Sequence, residues 1–208
     1  MPKSRIIGLT GGIASGKSTV TNYLREKGLV VIDADQVVRS HQEPGGRLYR
    51  LLVDHLGLEI LDQEGRLDRA RLGKRFFEDE NLRAWSNQHQ GQIIREILQE
   101  EKEKAEGSHE LVFMDIPLLF EQSYEDWFDQ IWLVAVNPRT QIERLMKRNG
   151  LTVEEAKSRI TSQMSLEEKA ARAQVILKND GLVQELLEQV EMQLERLCHC
   201  EEENSIGL

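Results

Sequence analysis

The stretch Ile6-Ile7-Gly8-Leu9-Thr10-Gly11-Gly12-Ile13-Ala14-Ser15-Gly16-Lys17-Ser18-Thr19 decides the fold of this chain. Gly11 to Ser18 matches G-x-x-x-x-G-K-[ST] without a mismatch, the pattern of a loop whose backbone N–H groups surround a phosphate. Glycines let the backbone turn tightly and come close to the anion. Lys17 supplies a point positive charge for β- and γ-phosphates, and Ser18 a hydroxyl for Mg²⁺. The apolar Ile6–Leu9 before the loop predicts a strand. Thr19 to Lys27 predicts a helix that Gly28 ends, and its N-terminus would point at the same anion. Gly11, Gly12, Ile13, Ala14, Ser15, Gly16, Lys17, Ser18 and Thr19 are thus the expected nucleotide-binding residues.

Working outward, Leu29-Val30-Val31-Ile32 is a continuous β-branched run that predicts a parallel strand buried on both faces. It ends at Asp33-Ala34-Asp35. In open α/β sheets ligands gather at the carboxyl ends of strands. Asp33 there would accept a proton from an attacking hydroxyl or hold Mg²⁺ through water. The competing role for either aspartate is to cap the following helix. From about 36 to 106 the sequence turns helical and charged, with breaks at Gly45-Gly46 and Gly57. The basic residues of Ala70-Arg71-Leu72-Gly73-Lys74-Arg75-Phe76-Phe77 form either a solvated helix face or a path for an anionic substrate. A long helix is predicted from about Asn81 to Glu106.

Leu111-Val112-Phe113-Met114-Asp115 predicts the next buried strand, closed by an acid where a Mg²⁺-orienting carboxylate is expected. Ile131 to Val136 predicts another. Asn137-Pro138 then opens a helix to Gly150, by cap and first-turn proline. Its Arg144 and Arg148 are four apart and share a face, suited to phosphate oxygens and developing charge. Thr152-Val153-Glu154-Glu155 and Ser165-Leu166-Glu167-Glu168 each have capping-box spacing, so two short helices should form a flap over about 150–174. Val175-Ile176-Leu177-Lys178 predicts the last strand. Val183, Leu186, Leu187, Val190, Leu194 and Leu197 recur at helical spacing and should pack on the sheet. Residues 201–208 read as a loose tail.

At 208 residues, 39% hydrophobic and 30% charged, the chain has the make-up of a soluble globular protein with one core. No run is long enough to span a membrane, and no secretory apolar region follows Met1, so a cytoplasmic protein is expected. A net charge of −9 argues against a nucleic-acid binder. Cys198-His199-Cys200 lacks the partners of a metal site. No guanine-reading Asn-Lys-x-Asp is present, since Lys178-Asn179-Asp180 has the wrong order, and motors are longer with more parts. The length, the early Asp33 and the arginine-bearing flap favour a kinase that closes over two small ligands, ahead of an ATP-binding regulatory module.

Several of these segments together resemble the dephospho-CoA kinase family. They are Thr10 to Thr19, Val31-Ile32-Asp33-Ala34-Asp35-Gln36, Asp68-Arg69-Ala70-Arg71-Leu72, Asp115-Ile116-Pro117-Leu118-Leu119-Phe120-Glu121, Arg144-Leu145-Met146-Lys147-Arg148 and Ile176-Leu177-Lys178-Asn179-Asp180-Gly181. They fall in family order over about residues 5–190. One departure is Gln88-His89-Gln90, where the family usually has His-Pro. The resemblance implies an α/β fold: a three-layer P-loop NTPase-type parallel sheet flanked by helices. It implies a single kinase domain over 1–208, with a helical acceptor-binding insertion at about 36–106 and a helical lid at about 139–174. The implied reaction is ATP-dependent phosphorylation of the ribose 3′-hydroxyl of dephospho-coenzyme A, giving coenzyme A and ADP. Asp33, Lys17, Arg144 and Arg148 would be catalytic. Thr10, Asp33, Asp35, His89, Pro117 and Leu118 would touch the acceptor, and Ser18 and Asp115 would serve Mg²⁺. The expected partners are the two small substrates alone, in a monomer or small homo-oligomer with no membrane or nucleic acid.

Overall fold

A computed structural model describes residues 4–205, with side chains to residue 197. Met1-Pro2-Lys3, residues 206–208 and the side chains of Cys198-His199-Cys200 lie outside the described residues. The Cα packing divides the chain into two units, Met1–Val31 with His109–Leu208, and Ile32–Ser108.

The first unit opens with β1 (Arg5–Gly11) and α1 (Lys17–Glu26), which lead to β2 (Val30–Asp33). The second unit is helical: α2 (Ala34–His41), α3 (Arg47–Leu56), a 3₁₀ turn at Leu58–Ile60, α4 (Arg69–Glu78) and α5 (Glu80–Glu106). The chain then returns through β3 (Leu111–Asp115), β4 (Gln130–Ala135), α6 (Pro138–Asn149), α7 (Val153–Thr161), α8 (Leu166–Arg172), β5 (Val175–Lys178) and α9 (Val183–Ser205). The sheet has five strands in the order β2-β3-β1-β4-β5. β1 runs parallel to β3, with Leu9 opposite Asp115, and to β4, with Gly11 opposite Val134. β4 runs parallel to β5.

Parallel strands bring their carboxyl ends to one edge, so this register sets Asp115 beside the start of the loop that follows β1. The central strands are buried without alternation: Ile6 to Gly11 and Val112 to Asp115 are all buried, as expected for a sheet covered on both faces. Ile7, Leu9, Val20, Leu24, Phe113, Trp132, Val134 and Leu177 pack with Leu186, Val190 and Leu197 of α9. Phe113 and Trp132 meet edge to face with centroids 5.2 Å apart. Such a pair adds about 0.5–1.5 kcal/mol beyond the area it buries.

Three expectations need correcting. β2 is half-buried at all four residues because it forms one edge of the sheet, so its apolar run does not mark an enclosed strand. Val183 is 56% exposed, since it begins the first turn of α9 before the apolar stripe reaches the sheet. The loose tail expected from 201 is helical to Ser205, where Glu201-Glu202-Glu203 are good helix formers that extend an existing helix at little cost.

Helix ends follow local chemistry closely. Asn137 accepts the N–H of Thr140 at 2.9 Å, with Pro138 in the first turn, and Gly150 ends α6 in the left-handed conformation at φ 66°. Both capping boxes form, Thr152 with Glu155 and Ser165 with Glu168. In the second unit Asp68 and Asp79 cap α4 and α5. A small core of Leu52, Leu56, Ile60, Leu72 and Leu82 holds that unit together, with Phe76 and Trp85 packed against it. On α4, Arg71 lies near Asp68, Arg75 pairs with Glu59 and Lys74 lies near Glu78.

On the first unit Glu191 of α9 takes both Lys27 and the Tyr23 hydroxyl from the end of α1. The Lys27 ammonium first, then the Tyr23 hydroxyl, holds the Glu191 carboxyl below its usual range. A carboxyl depressed in the folded state contributes stability above its unfolded pKa and loses it as pH falls through the folded value. Glu191→Gln should therefore lower the melting temperature at pH 7, and the gap from the unaltered protein should close through the acidic carboxylate range. Thermal melts from pH 7 to pH 3 check this; a gap of constant size would remove the α1–α9 charge contact as its cause.

Candidate active site

The loop between β1 and α1 is built by close approach. Gly16 lies at φ 89°, a left-handed conformation that a side chain resists, and a Cβ there would fall on the Asn179 amide. A Cβ at Gly12 would crowd Gln141 and Leu166, and one at Gly11 would lie 2.9 Å from the Val134 carbonyl. The other left-handed residue of the loop is Ala14, at φ 59°. The glycine pattern therefore reflects contact distance as much as backbone freedom. The Ser15 hydroxyl is buried beneath the loop and makes no hydrogen bond to the described residues.

Lys17 lies in the first turn of α1, and its ammonium is ion-paired with Asp115, the last residue of β3. Their side chains are 18% and 6% exposed, so the lysine is held by a nearly enclosed carboxylate and its position is well defined. Ser18, next in the same turn, is exposed. Thr10 is fully buried in β1, and its hydroxyl donates to the Pro117 carbonyl at 3.1 Å. That bond fixes the segment after Asp115, where Leu118 is half-buried and Leu119 and Phe120 are buried.

Arg144 and Arg148 part company. Arg144 Nη2 donates to the Asn179 carbonyl at 2.9 Å, and the Asn179 amide donates to the Ser15 carbonyl at 2.8 Å. Arg144 therefore stands beside the loop. Arg148 lies one turn on, about 6 Å along the axis, and its Nε donates to Asn149 at 2.9 Å on the exposed end of α6. Of the two arginines, Arg144 is the one that bonds beside the loop.

Three residues that hold the loop carried no role in the sequence reading. Gln141, 3% exposed in α6, donates to the Ile13 carbonyl at 2.9 Å. Gln163, just before α8, accepts the Ile13 N–H at 3.3 Å. Asn179, 6% exposed, is the third. Glutamine has no motif of its own at such spacings. Asn179 alone left a trace, as the polar residue after a strand of the loop-bearing sheet.

The remaining expected residues belong to the second unit. Asp33 is the cap of α2, and its Oδ1 accepts the N–H of Gln36 at 3.0 Å. Asp35 is exposed in the first turn of the same helix. His89 is exposed on α5, with Nδ1 2.8 Å from the Trp85 carbonyl and its ring 4.9 Å from that of Trp85. His55 of α3 stacks on Trp85 at 3.5 Å. Without a proline after His89, α5 runs unbroken from Glu80 to Glu106.

Among the described residues no group of three or more His, Cys, Asp or Glu could hold a metal ion, and no helix is long and apolar enough to cross a membrane. A half-buried loop with a fixed lysine, an exposed helix-start hydroxyl and an adjacent arginine has the chemistry to hold a polyphosphate and stabilise charge upon it.

Comparison with known proteins agrees. A family model described as dephospho-CoA kinase matches residues 5–185. The dephospho-CoA kinase of Streptococcus mutans is 52% identical over 194 residues, covering 93% of this chain and 98% of that protein. A crystal structure of a Thermus thermophilus protein superposes with TM-score 0.75 at 34% identity, covering 94% of this chain and 98% of that one. The dephospho-CoA kinase of Campylobacter jejuni shares the fold, with TM-score 0.73 at 24% identity, over 92% and 96% of the two chains.

The two left-handed loop positions should respond oppositely to substitution. Gly16→Ala adds both strain and overlap with Asn179, so it should cost at least about 1–2 kcal/mol. Ala14→Gly relieves strain while loosening the unfolded chain, so it should stay within about 0.5 kcal/mol. Urea unfolding of both variants tests the contrast; equal losses would contradict the role given to Gly16.

Proposed function

The chain belongs to the dephospho-CoA kinase family, and on that premise we propose how its residues phosphorylate the ribose 3′-hydroxyl of dephospho-coenzyme A from ATP, the last step of coenzyme A synthesis. The observation that carries the reading is an intact phosphate loop, Gly11 to Ser18, within a chain 52% identical to a named dephospho-CoA kinase. The N–H groups of Gly11 to Thr19 hold the ATP phosphates. Lys17, kept in place by Asp115 before nucleotide arrives, moves its charge onto the transferring phosphoryl group. Arg144 adds a guanidinium beside the loop, which favours it over Arg148 as the residue that meets transition-state charge. Ser18, with a hard hydroxyl oxygen, and Asp115 would serve Mg²⁺, which would supply positive charge to the phosphates when bound.

Asp33 accepts the proton of the 3′-hydroxyl. Its place in the Asp33-Ala34-Asp35 motif supports this role, and capping α2 restricts its rotamer, so one carboxylate serves both structure and chemistry. Thr10, Asp35, His89, Pro117 and Leu118 contact the acceptor, with the helical unit Ile32–Ser108 as its binding region and the stretch 139–174 as a lid that excludes water. Because phosphoryl transfer is mostly positioning and charge stabilisation, these parts account for the rate without a covalent intermediate. The protein works in the cytoplasm on its two small substrates, as a monomer or small homo-oligomer.

ADP release should depend on dephospho-coenzyme A and not on adenosine or nucleoside monophosphates; turnover with those instead would overturn the acceptor assignment. Lys17→Ala should abolish turnover and leave a folded protein by circular dichroism. Asp33→Asn should lower kcat by roughly 10²-fold, the scale of a lost general base, whereas a change in KM alone would remove it from that role. Arg144→Ala should cost more in kcat than Arg148→Ala, and the reverse order would reassign the arginine.

A further inference from the structure

Lys169 is 0% exposed, and its Nζ lies 2.8 Å from Glu121 Oε1. Lysine is among the residues least often enclosed, because its ammonium loses so much hydration. Yet Lys169 sits in a seven-residue helix, α8, most of whose other side chains face solvent. The pair is not built for strength. Its angle misses hydrogen-bond geometry, and Glu121 Oε2 is buried beside it with no hydrogen bond to the described residues. A buried pair of this kind contributes little net stability compared with apolar residues of the same volume. What it does contribute is a fixed position.

The contacts around it show what is being positioned. Glu121 Oε1 also accepts the Met164 N–H at 3.1 Å. Met164 directly follows Gln163, whose amide oxygen accepts the Ile13 N–H of the phosphate loop. At the far end of α8, Arg172 pairs with Glu125 and lies over the Phe120 ring, 4.9 Å from its centre. The chain 120–125 thus grips α8 and the residue before its cap. Gln163 is thereby set next to the loop, and Leu166, in the first turn of α8, packs over Gly12. Gln141 holds the next peptide group along, through the Ile13 carbonyl.

We propose that Lys169 and Glu121 are positioning residues for the phosphate loop: they set the start of α8 so that Gln163 clamps Ile13 and keeps the loop shaped for ATP. The inference rests on the ATP-binding reading of that loop. Neither residue touches substrate; both act through Gln163.

A cycle of Lys169→Met and Gln163→Ala, singly and together, tests it with steady-state kinetics on the full chain. Each single change should raise the KM for ATP roughly fivefold, with kcat and the KM for dephospho-coenzyme A within about twofold. The double variant should be no worse than either single, because both remove one contact. A merely structural role gives independent losses, and a KM for ATP raised roughly 25-fold in the double variant would overturn the proposal. So would an unchanged KM for ATP in Lys169→Met, or equal rises for both substrates. If Lys169→Met does not fold, Glu121→Gln takes its place in the same cycle, with the same non-additivity expected and the same additivity overturning it. An unaltered protein that fails to saturate with ATP would instead refute the nucleotide reading and, with it, this inference.

Discussion

A single ion pair, Lys17 with Asp115, ties the start of the chain to its middle. The two residues are far apart in sequence, and each is largely withdrawn from water. Such a largely enclosed pair fixes the position of both charges more than it adds net stability. The pair is possible only because β1 and β3 are parallel neighbours in register, with Leu9 opposite Asp115. The apolar burial of Ile7, Leu9, Phe113 and Met114 therefore decides where a lysine ammonium stands. A ligand that brings phosphate to the loop meets a lysine already oriented.

Around that pair the loop is fastened on several sides by weak, directional contacts. Asn179 holds Ser15, Gln163 and Gln141 hold the Ile13 N–H and carbonyl, and Thr10 holds Pro117. Each hydrogen bond is worth only about 1 kcal/mol net. Their value lies in restricting a loop that already carries two left-handed residues. A loop so restrained has little ordering left to do when an anion arrives, which is the sense in which a site is preorganised.

Much of the architecture was legible in local chemistry. Apolar β-branched runs marked the strands, and Asn137-Pro138 with Gly150 marked both ends of α6. Thr152 and Ser165 marked the starts of α7 and α8, because a cap is a short-range hydrogen bond that needs no tertiary partner. Misreadings arose where the surroundings decide. The Leu29-Val30-Val31-Ile32 run has the composition of an enclosed strand, but a strand's neighbours, not its residues, determine whether it lies at an edge. The choice between Arg144 and Arg148 was open rather than misread, because helical spacing makes them equivalent and the bond of Arg144 to Asn179, brought in by β5, is not a local feature.

The loop sequence Gly11 to Ser18 and the alternation of apolar runs with capped helices were enough to specify a parallel sheet carrying a phosphate site, since both depend on contacts within a few residues. The occupants of its surroundings were beyond their reach. That Lys17 would meet Asp115, that Gly16 would lie against Asn179, and that an enclosed Lys169 would hold α8 on Glu121 follow from strand order and helix packing, which join residues distant in the chain. Local patterns select elements because their energies are local. The partners of a buried charge are chosen by the whole fold, because only the folded interior removes the water that would otherwise serve.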